Sequence, residues 1–365
     1  MFVYFMLLFV IIFITNFIVH GLKVKTLSNE KLIDIKNSYQ YKISFLLNFL
    51  ILGIFSALRD DIGLDYIAYI RHIGNIQMGA DTYMESGFEL LCECLYQIST
   101  NPRTVMVVMS FATVFFYLLA IYKMSNNIVM SLFIFLTWGY YFLTFMSVRN
   151  YFALALIFYA LSFLKERKNL LFFSLVLLAA QFHKSAYVCL PIYLIASKKI
   201  NKNVLILGSI LVILFAIIFT EEARLIAFYF YPGYENSLYD TGNASYLNII
   251  KAVIVVIFGY IYYKNFKHED GEQEKIFFSL NVMALICYVG FYWLPEISRV
   301  GFYMNVTTIV FLPNIIRNEY RVRTRLLYKG VIYIGSLVLF YLLMEGFYAP
   351  STGLLPYSTW LKTGY

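Results

Sequence analysis

The chain has 365 residues, of which 61% are hydrophobic, 19% aromatic and 14% charged, and its mean hydropathy is +0.71. Soluble domains carry about 45–50% apolar and about 25% charged residues, so this composition excludes a soluble globular, disordered, coiled-coil or nucleic-acid-binding protein. The net charge of +8 is explained by cationic residues that collect in cytoplasmic loops. We predict an all-α polytopic membrane protein with one integral membrane domain over residues 1–365.

Ten runs with at most one charged residue predict membrane-spanning helices, because a helix needs about 20 apolar residues to cross about 30 Å of hydrocarbon. In chain order they cover residues 2–19, 43–58, 104–122, 124–148, 150–164, 203–220, 246–263, 276–295, 300–316 and 326–344. With the segment between residues 169 and 197, they predict about 10–12 transmembrane helices.

The segment 169–197 differs from the other apolar runs. Two short apolar pieces, 169–182 and 185–197, are separated by His183 and Lys184. Each piece is short for a bilayer, which asks for about 20 helical residues. We therefore predict a broken or re-entrant hairpin with His183 and Lys184 at its turn.

The distribution of Lys and Arg sets the orientation. If the basic loops lie in the cytoplasm, they hold 20 of the 29 Lys and Arg residues, as the positive-inside rule requires. In the first outer loop, a glutamate or glutamine recurs every four residues from Glu85 to Gln97, which predicts an amphipathic helix. The segments then predicted to face outward are the loops 59–103 and 221–245 and the C-terminal tail 345–365.

Most catalytic motifs are absent from the sequence. It has no phosphate-binding G-x-x-x-x-G-K-[ST], no G-x-S-x-G, no H-E-x-x-H and no D-x-D. An ATP-driven or nucleotide-sugar-driven reaction is therefore disfavoured, and we expect a substrate that arrives already activated. No cofactor is predicted; a divalent metal at Asp60 and Asp61 is the less favoured alternative.

The charges on the outward side are the candidates for chemistry. Arg59, Arg149 and Arg299 lie at the ends of apolar runs, where a charge costs about 2.5–3.5 kcal/mol on insertion scales and commonly faces a cavity. A guanidinium offers a bidentate fork to phosphate oxygens, so these arginines predict a phosphate site. For each arginine the alternative is snorkelling to the membrane interface or a structural ion pair. The alternative for His183 is a structural role, and for the outer tyrosines it is a position at the membrane interface.

Six short elements, in order along residues 59–360, resemble those of the EpsG/Wzy-type polysaccharide polymerases. They are RDDIGLDYIAY after the second span (R-x-x-x-G-x-D-Y-x-x-Y in that family), ESGFELL (E-x-G-[FY]-x-x-[LF]), SVRNYFALAL (R-x-x-[LF]-A-x-[AS]), QFHKSAYVCLPIYLI (F-H-x-S-A), ISRVGFYM (R-x-x-x-Y-[FM]) and LLPYSTW (a terminal P-Y). Each element is weak by itself, and the six in one order make the resemblance specific.

The resemblance implies a polymerase of O-antigen or exopolysaccharide in the bacterial inner membrane, for which a GT-C-like architecture is one option. Such an enzyme transfers the growing glycan from undecaprenyl pyrophosphate to the non-reducing end of an incoming lipid-linked repeat unit at the outer face. The implied partners are undecaprenyl-pyrophosphate-linked oligosaccharide, membrane lipid, and a chain-length regulator and flippase of the same pathway. The implied site residues are His183 and Asp65 for catalysis, Arg59, Arg149, Arg299 and Lys184 for pyrophosphate, and Tyr66, Tyr69, Glu89 and Tyr303 for sugar.

Which residue removes the acceptor proton is left open by the sequence. Asp65 could hydrogen-bond a sugar hydroxyl from a loop beside Arg59. A histidine side chain ordinarily serves as a base near neutral pH, so we favour His183 as the base and Asp65 as the sugar-positioning residue. Other classes remain as alternatives. They are a flippase for lipid-linked oligosaccharide, an acyltransferase, and a metal-dependent lipid-phosphate-sugar glycosyltransferase, which would use the pair Asp60-Asp61.

Overall fold

A computed structural model describes residues 1–26, 38–80, 82–191, 201–230, 235, 243–263, 271–294, 297–347 and 353–361. Within these ranges the chain is helical, and its β structure is one isolated bridge, between Arg59 and Thr359. The prediction of an all-α polytopic membrane protein is confirmed. Parts of the loop 221–245 (residues 231–234 and 236–242), parts of the tail 345–365 and the end of the segment 169–197 lie outside the described residues.

The helices follow the apolar runs of the sequence. In chain order they are α1 (Phe2–Thr26), α2 (Tyr39–Ala57), α3 (Tyr66–Gln77), α4 (Ser86–Tyr96), α5 (Arg103–Met124), α6 (Ile128–Thr137), α7 (Tyr140–Leu143), α8 (Val148–Lys165), α9 (Asn169–Ala180), a 3₁₀ helix (Lys184–Cys189), α10 (Lys202–Ile218), α11 (Thr220–Phe230), α12 (Tyr246–Tyr262), α13 (Glu272–Gly290), α14 (Ile297–Asn305), α15 (Thr308–Arg317) and α16 (Val322–Phe347).

Four helices of the described chain are long and apolar enough to cross a membrane, namely α1, α2, α5 and α16. Helices α10 and α11 meet at a bend of 82°, and the described chain has up to five candidate spans if this pair is one span. Four shorter helices are also apolar, namely α6, α8, α9 and α12. The chain is therefore a multi-pass membrane protein. The predicted total of about 10–12 transmembrane helices stays a prediction.

The described residues divide into two compact units. The first comprises Met1–Tyr159, Leu178–Lys184 and Ile316–Tyr365, and the second comprises Ala160–Leu177 and Ser185–Ile315. The single integral domain expected over residues 1–365 stays a prediction.

The first unit contains a buried polar clamp that joins three membrane helices. Asn48 of α2 donates to Thr15 of α1 at 2.8 Å and to the hydroxyl of Tyr122 of α5 at 2.9 Å. Ser44, one turn before Asn48, lies 2.8 Å from the same hydroxyl. Because apolar side chains gain little by leaving lipid, such bonds hold membrane helices together and fix their register.

A C-terminal segment, residues 353–361, docks on the end of α2 and the loop that follows it. The Tyr357 ring stacks on Phe55 at a centroid distance of 4.2 Å, and its hydroxyl donates to the Phe55 carbonyl at 2.7 Å. The Trp360 indole donates to the carbonyl of Ala57 at 3.1 Å, and its main-chain N–H donates to Leu58 at 3.2 Å. The terminal P-Y element is thus part of the packing around Arg59.

The predicted turn of the segment 169–197 is confirmed over its described part. Helix α9 ends at Ala180, residues 181–183 form the turn, and the 3₁₀ helix begins at Lys184. We call residues 181–183 the hairpin tip. The second apolar piece, 185–197, lies outside the described residues from residue 192 onward, so whether the segment spans twice or re-enters stays open.

In the second unit, two buried polar residues of α13, seven positions apart, bind the segment that contains α15. Glu274 accepts from Asn314 at 3.2 Å, and one heptad later Asn281 exchanges hydrogen bonds with Thr307 and Thr308 at 2.9 and 2.8 Å. Buried polar residues at heptad spacing specify register. They therefore fix how α14 and α15 run along α13.

Candidate active site

The loop of residues 59–65, which we call the Arg59 loop, leaves α2 and is shaped by a glycine. Gly63 has φ +96°, and a Cβ there would lie 2.0 Å from the carbonyl oxygen of Phe145. No other residue fits this position, because both the backbone conformation and the contact need the missing Cβ. The glycine of the R-x-x-x-G-x-D-Y element therefore serves to seat the loop on residue 145.

Arg59 is buried in the first unit, with 2% of its surface exposed. Its Nη1 donates to the Ser56 carbonyl at 2.6 Å, the Ser56 hydroxyl at 2.9 Å and the Ser110 hydroxyl at 2.8 Å, and the guanidinium lies 4.9 Å from the centroid of Phe145. Burial lowers the pKa of Arg59 to about 10, so it stays charged at neutral pH. Its Nε has no hydrogen-bond partner among the described residues.

Asp60 is paired within the same unit. Its carboxylate lies 3.0 Å from Nη2 of Arg103 and accepts from the hydroxyl of Tyr66 at 3.4 Å. Asp61 is exposed and has φ 51°. Among the described residues no group of three His, Cys, Asp or Glu side chains could hold a metal ion.

Asp65 lies at the entrance of the next helix. It is half-buried and directly precedes α3, and its side chain does not cap that helix. One turn on, Tyr69 is buried, and its main-chain N–H donates to the carbonyl of Asp65 at 2.8 Å. The helix therefore connects the Arg59 loop to the residues around Tyr69.

Three elements that are distant in sequence meet at Glu85 in the first unit. Oε2 of Glu85 forms an ion pair with the guanidinium of Arg149. Oε1 of Glu85 lies 3.4 Å from Nδ1 of His183 and accepts a hydrogen bond from the main-chain N–H of Lys184 at 3.2 Å. We call Glu85, Arg149, His183 and Tyr69 the Glu85 cluster. It unites an arginine and a histidine that the sequence only suggested separately.

The electrostatics of the cluster keep Glu85 ionised. Burial alone raises the pKa of the carboxyl group. The nearby His183 imidazole, the charge of Arg149 and two main-chain N–H groups outweigh burial and lower that pKa below its usual value. A negative charge is therefore held between a cation and an imidazole, in a place where water screens it less than at the surface.

Arg149 is fixed by aromatic side chains as well as by Glu85. The Tyr69 hydroxyl lies 3.4 Å from both the main-chain nitrogen and Nε of Arg149. The guanidinium lies 5.8 Å from the ring centroid of Tyr69 and 5.7 Å from that of Phe88, within the range of cation–π attraction. With its side chain 18% exposed, Arg149 is held in one orientation but remains accessible.

The E-x-G element explains how the cluster forms. Glu85 precedes α4 in an extended conformation and does not cap the helix, which leaves its carboxylate for Arg149 and His183. Two residues later, the N–H of Gly87 donates to Gln181 at 3.0 Å, and a Cβ at Gly87 would lie 2.6 Å from the Cβ of Gln181. The glycine thus lets the hairpin tip approach α4, which brings His183 to Glu85.

The residue that the sequence reasoning missed is Glu85. The predicted sugar-binding carboxylate on this helix was Glu89, which accepts a hydrogen bond from Thr82. The amphipathic α4 itself is confirmed, with Phe88 buried. The feature of the sequence that points to Glu85 is its place as the first residue of the E-x-G element.

The remaining predicted residues lie elsewhere. Lys184 is exposed beside His183, and in the second unit Tyr303 of α14 is fully buried, with its hydroxyl 3.1 Å from that of Ser185. Arg299 is half-buried on the same helix, one turn before Tyr303. A Cβ at the neighbouring Gly301 would lie 2.3 Å from the ring of Tyr288 in α13, so this glycine permits close helix packing.

Comparison with known proteins finds one match. The model of the EpsG family matches residues 42–359, which contain both the Arg59 loop and the Glu85 cluster. No curated protein and no solved structure matches the chain.

Proposed function

This protein belongs to the EpsG family, and we propose on that basis that it is a membrane glycosyltransferase that polymerises oligosaccharide repeat units. The growing glycan leaves undecaprenyl pyrophosphate and is transferred to the non-reducing end of an incoming lipid-linked unit, at the outer face of the inner membrane. The product is an O-antigen or exopolysaccharide.

The observation that carries the proposal is the contact of Glu85 with both Arg149 and His183. A glycosyl transfer from a pyrophosphate needs a base for the acceptor hydroxyl and a cation for the charge that develops on the leaving group. The Glu85 cluster supplies an imidazole and a guanidinium together. It is half-buried, so both act with less solvent screening than surface groups.

In the proposed reaction His183 is the base. The acceptor oxygen forms a bond to the anomeric carbon of the growing chain, and the bond from that carbon to the pyrophosphate oxygen breaks. The acceptor proton passes to Nε2 of His183, and the pyrophosphate leaves as an anion. Asp65 is assigned to positioning the acceptor sugar from its place before α3.

The cations have different parts in this proposal. Arg149, which shares the Glu85 carboxylate with His183, and the exposed Lys184 attract the pyrophosphate. Arg59, which is buried in the first unit, is assigned to the same charge. The part of Arg299 in pyrophosphate binding stays a prediction. Sugar contacts are assigned to Tyr66, Tyr69 and Glu89, and the Tyr69 hydroxyl also orients Arg149. The assignment of Tyr303 to sugar binding stays a prediction.

Deletion of the gene separates the proposed reaction from transport. Without a polymerase, the cell keeps surface glycan of one repeat unit and loses the ladder of longer chains on a gel. Loss of a flippase removes the single unit from the surface as well, because units stay at the cytoplasmic face. That second pattern would overturn the proposal.

Purified protein and lipid-linked units extracted from the deletion strain test the chemistry directly. Wild type is expected to form a ladder, and His183→Ala to lose about 10²–10⁴ of the rate, as expected for a general base. His72→Ala, which removes an imidazole from α3 outside the cluster, is the matched control. Loss of the wild-type ladder in a chelator would instead favour a metal-dependent glycosyltransferase that uses Asp60 and Asp61.

A further inference from the structure

Glu85 contacts both the guanidinium of Arg149 and the imidazole of His183, although the proposed reaction gives Glu85 itself no role. Oε2 bonds Arg149, and Oε1 faces Nδ1 of His183 at 3.4 Å. We infer that Glu85 is a positioning residue that holds His183 with its proton on Nδ1, so that Nε2 is the free basic nitrogen. This inference rests on the proposed function, because it concerns the base of the same reaction.

The geometry favours this role over a simple ion pair. A glutamate that served only Arg149 is free to direct both oxygens to the guanidinium, and Arg–carboxylate pairs are frequently bidentate. Here the two oxygens diverge: Oε2 goes to Arg149, and Oε1 goes to His183 and the N–H of Lys184. Nδ1 has no ordinary hydrogen bond to any described residue, and catalytic contacts are often long before substrate binds.

The hydrogen bond at one imidazole nitrogen decides what the other can do. With Nδ1–H directed to the carboxylate, Nε2 has a lone pair, and the acceptor proton can pass to it. The imidazole then becomes a cation, which the nearby carboxylate stabilises. Nδ1 keeps its proton throughout, and Glu85 remains ionised.

Arg149 completes the arrangement. Burial raises the pKa of the Glu85 carboxyl group, but His183 and then the charge of Arg149 lower it, and the net shift is downward. The carboxylate is therefore not protonated near neutral pH and stays an acceptor for Nδ1–H. Among the described residues, the charged groups that bear on His183 are Glu85 at 3.4 Å, Arg149 through that carboxylate, and the adjacent Lys184.

A test that needs no substrate is the modification of His183 by diethyl pyrocarbonate, which reacts with the neutral imidazole. The rate at His183, followed by mass spectrometry of its peptide, is measured against pH in wild type, Glu85→Gln and Glu93→Gln. Glu93 is exposed on the same helix, so its variant removes an equal charge. Loss of the Glu85 charge makes the imidazolium less favourable, and the pH midpoint should move lower in Glu85→Gln only. An unchanged midpoint in Glu85→Gln would overturn the inference.

A second measurement uses polymerisation of the extracted lipid-linked units. Glu85→Gln is expected to lower kcat by about 10² or more, as loss of an orienting carboxylate does in a histidine-based site, with a smaller change in KM. The acidic limb of its pH–rate profile should move to lower pH. A Glu85→Gln enzyme with kcat and profile equal to wild type would contradict the positioning role.

The two measurements separate this inference from the proposed function. If wild-type protein makes no polymer, the proposed function fails, while the modification result still decides whether Glu85 controls His183. Glu85→Asp guards against misfolding of the glutamine variant. It keeps the charge on a shorter side chain, so it should retain the wild-type midpoint of modification, and a midpoint equal to that of Glu85→Gln would contradict the electrostatic role.

Discussion

Arg59 and Thr359 lie opposite each other in an antiparallel bridge between the start of the Arg59 loop and the C-terminal segment. The N–H of Asp60 completes it by donating to the carbonyl of Ser358 at 3.1 Å. Main-chain bonding beside Arg59 fixes the direction in which its side chain leaves the backbone. A segment near the end of the sequence therefore supports a residue that the sequence pattern places among the pyrophosphate-binding candidates.

The first prediction concerns the anchor of that segment. Tyr357→Phe removes the bond to the Phe55 carbonyl but keeps the ring, and should cost about 1 kcal/mol of unfolding free energy, the usual net value of a hydrogen bond. Tyr357→Ala also removes the stacked ring and should cost more. Thermal unfolding in detergent measures both, with Tyr83→Phe at a fully exposed position as control. Equal stability of Tyr357→Ala and wild type would show that the segment is not held by this residue.

The second prediction compares two glycines with positive φ. Gly63→Ala adds an unfavourable φ of +96° and a Cβ that would collide with the carbonyl of Phe145, whereas Gly79→Ala, at φ +73°, meets nothing within 4 Å. We expect Gly79→Ala to cost about 1–2 kcal/mol, the strain of a left-handed residue, and Gly63→Ala clearly more. Unfolding measurements on both variants test this. Equal losses would mean that the loop does not need its close contact with residue 145.

Much of the fold follows from hydropathy. The runs 2–19, 43–58, 104–122 and 326–344 correspond to four helices that can cross a membrane. The run 124–148 shows where the pattern fails: it is uncharged throughout, yet α6 ends at Thr137, and Gly139 has φ +84°. Hydropathy indicates whether a segment lies in lipid or in water. Where a helix ends inside an apolar run depends on backbone conformation, which composition does not reveal.

The candidate site was predicted in part. Charge, position and family resemblance point to Arg149, His183 and Tyr69. The structure brings Arg149 and His183 to one carboxylate and Tyr69 to Arg149. Glu85 was not selected, because spacing along α4 does not tell which glutamate faces a distant part of the chain. The burial of Arg59 was not anticipated either, since it depends on packing with the C-terminal segment and α5.

The third prediction tests the contact between α4 and the hairpin tip. Gly87→Ala places a Cβ 2.6 Å from the Cβ of Gln181 and should move the tip, and with it His183, away from Glu85. Polymerisation should fall by an order of magnitude or more, because small displacements of a catalytic group are costly. Gly74→Ala, in α3 with nothing within 4 Å, should instead leave activity unchanged and favour the helix by about 0.5–1 kcal/mol. Full activity of Gly87→Ala would contradict the prediction.

The fourth prediction is a pH dependence of stability. Because the folded-state pKa of Glu85 lies below the ordinary value of 4.5, its stabilising contribution is fully present above about pH 4.5 and is lost as pH falls through the folded value. Glu85→Gln lacks this contribution, so wild type should be the more stable protein at neutral pH and the difference should shrink below pH 4.5. Unfolding temperatures of the two proteins from pH 7 to pH 3 measure this. A difference that is constant with pH would mean that the carboxylate is not stabilised in the folded state.

The fifth prediction asks whether Arg149 needs its guanidinium or only its charge. Arg149→Lys keeps a cation. A compact ammonium, however, lacks the planar fork with which a guanidinium can bind Glu85, lie against the rings of Tyr69 and Phe88 and still present a donor to a phosphate. We therefore expect normal membrane insertion and a fall in polymerisation of at least tenfold. Arg71→Lys, at an exposed position of α3, should leave both unchanged. If Arg149→Lys polymerises as wild type does at an equal amount of protein, the fork is not used, and Arg149 serves as a point charge that a lysine can replace.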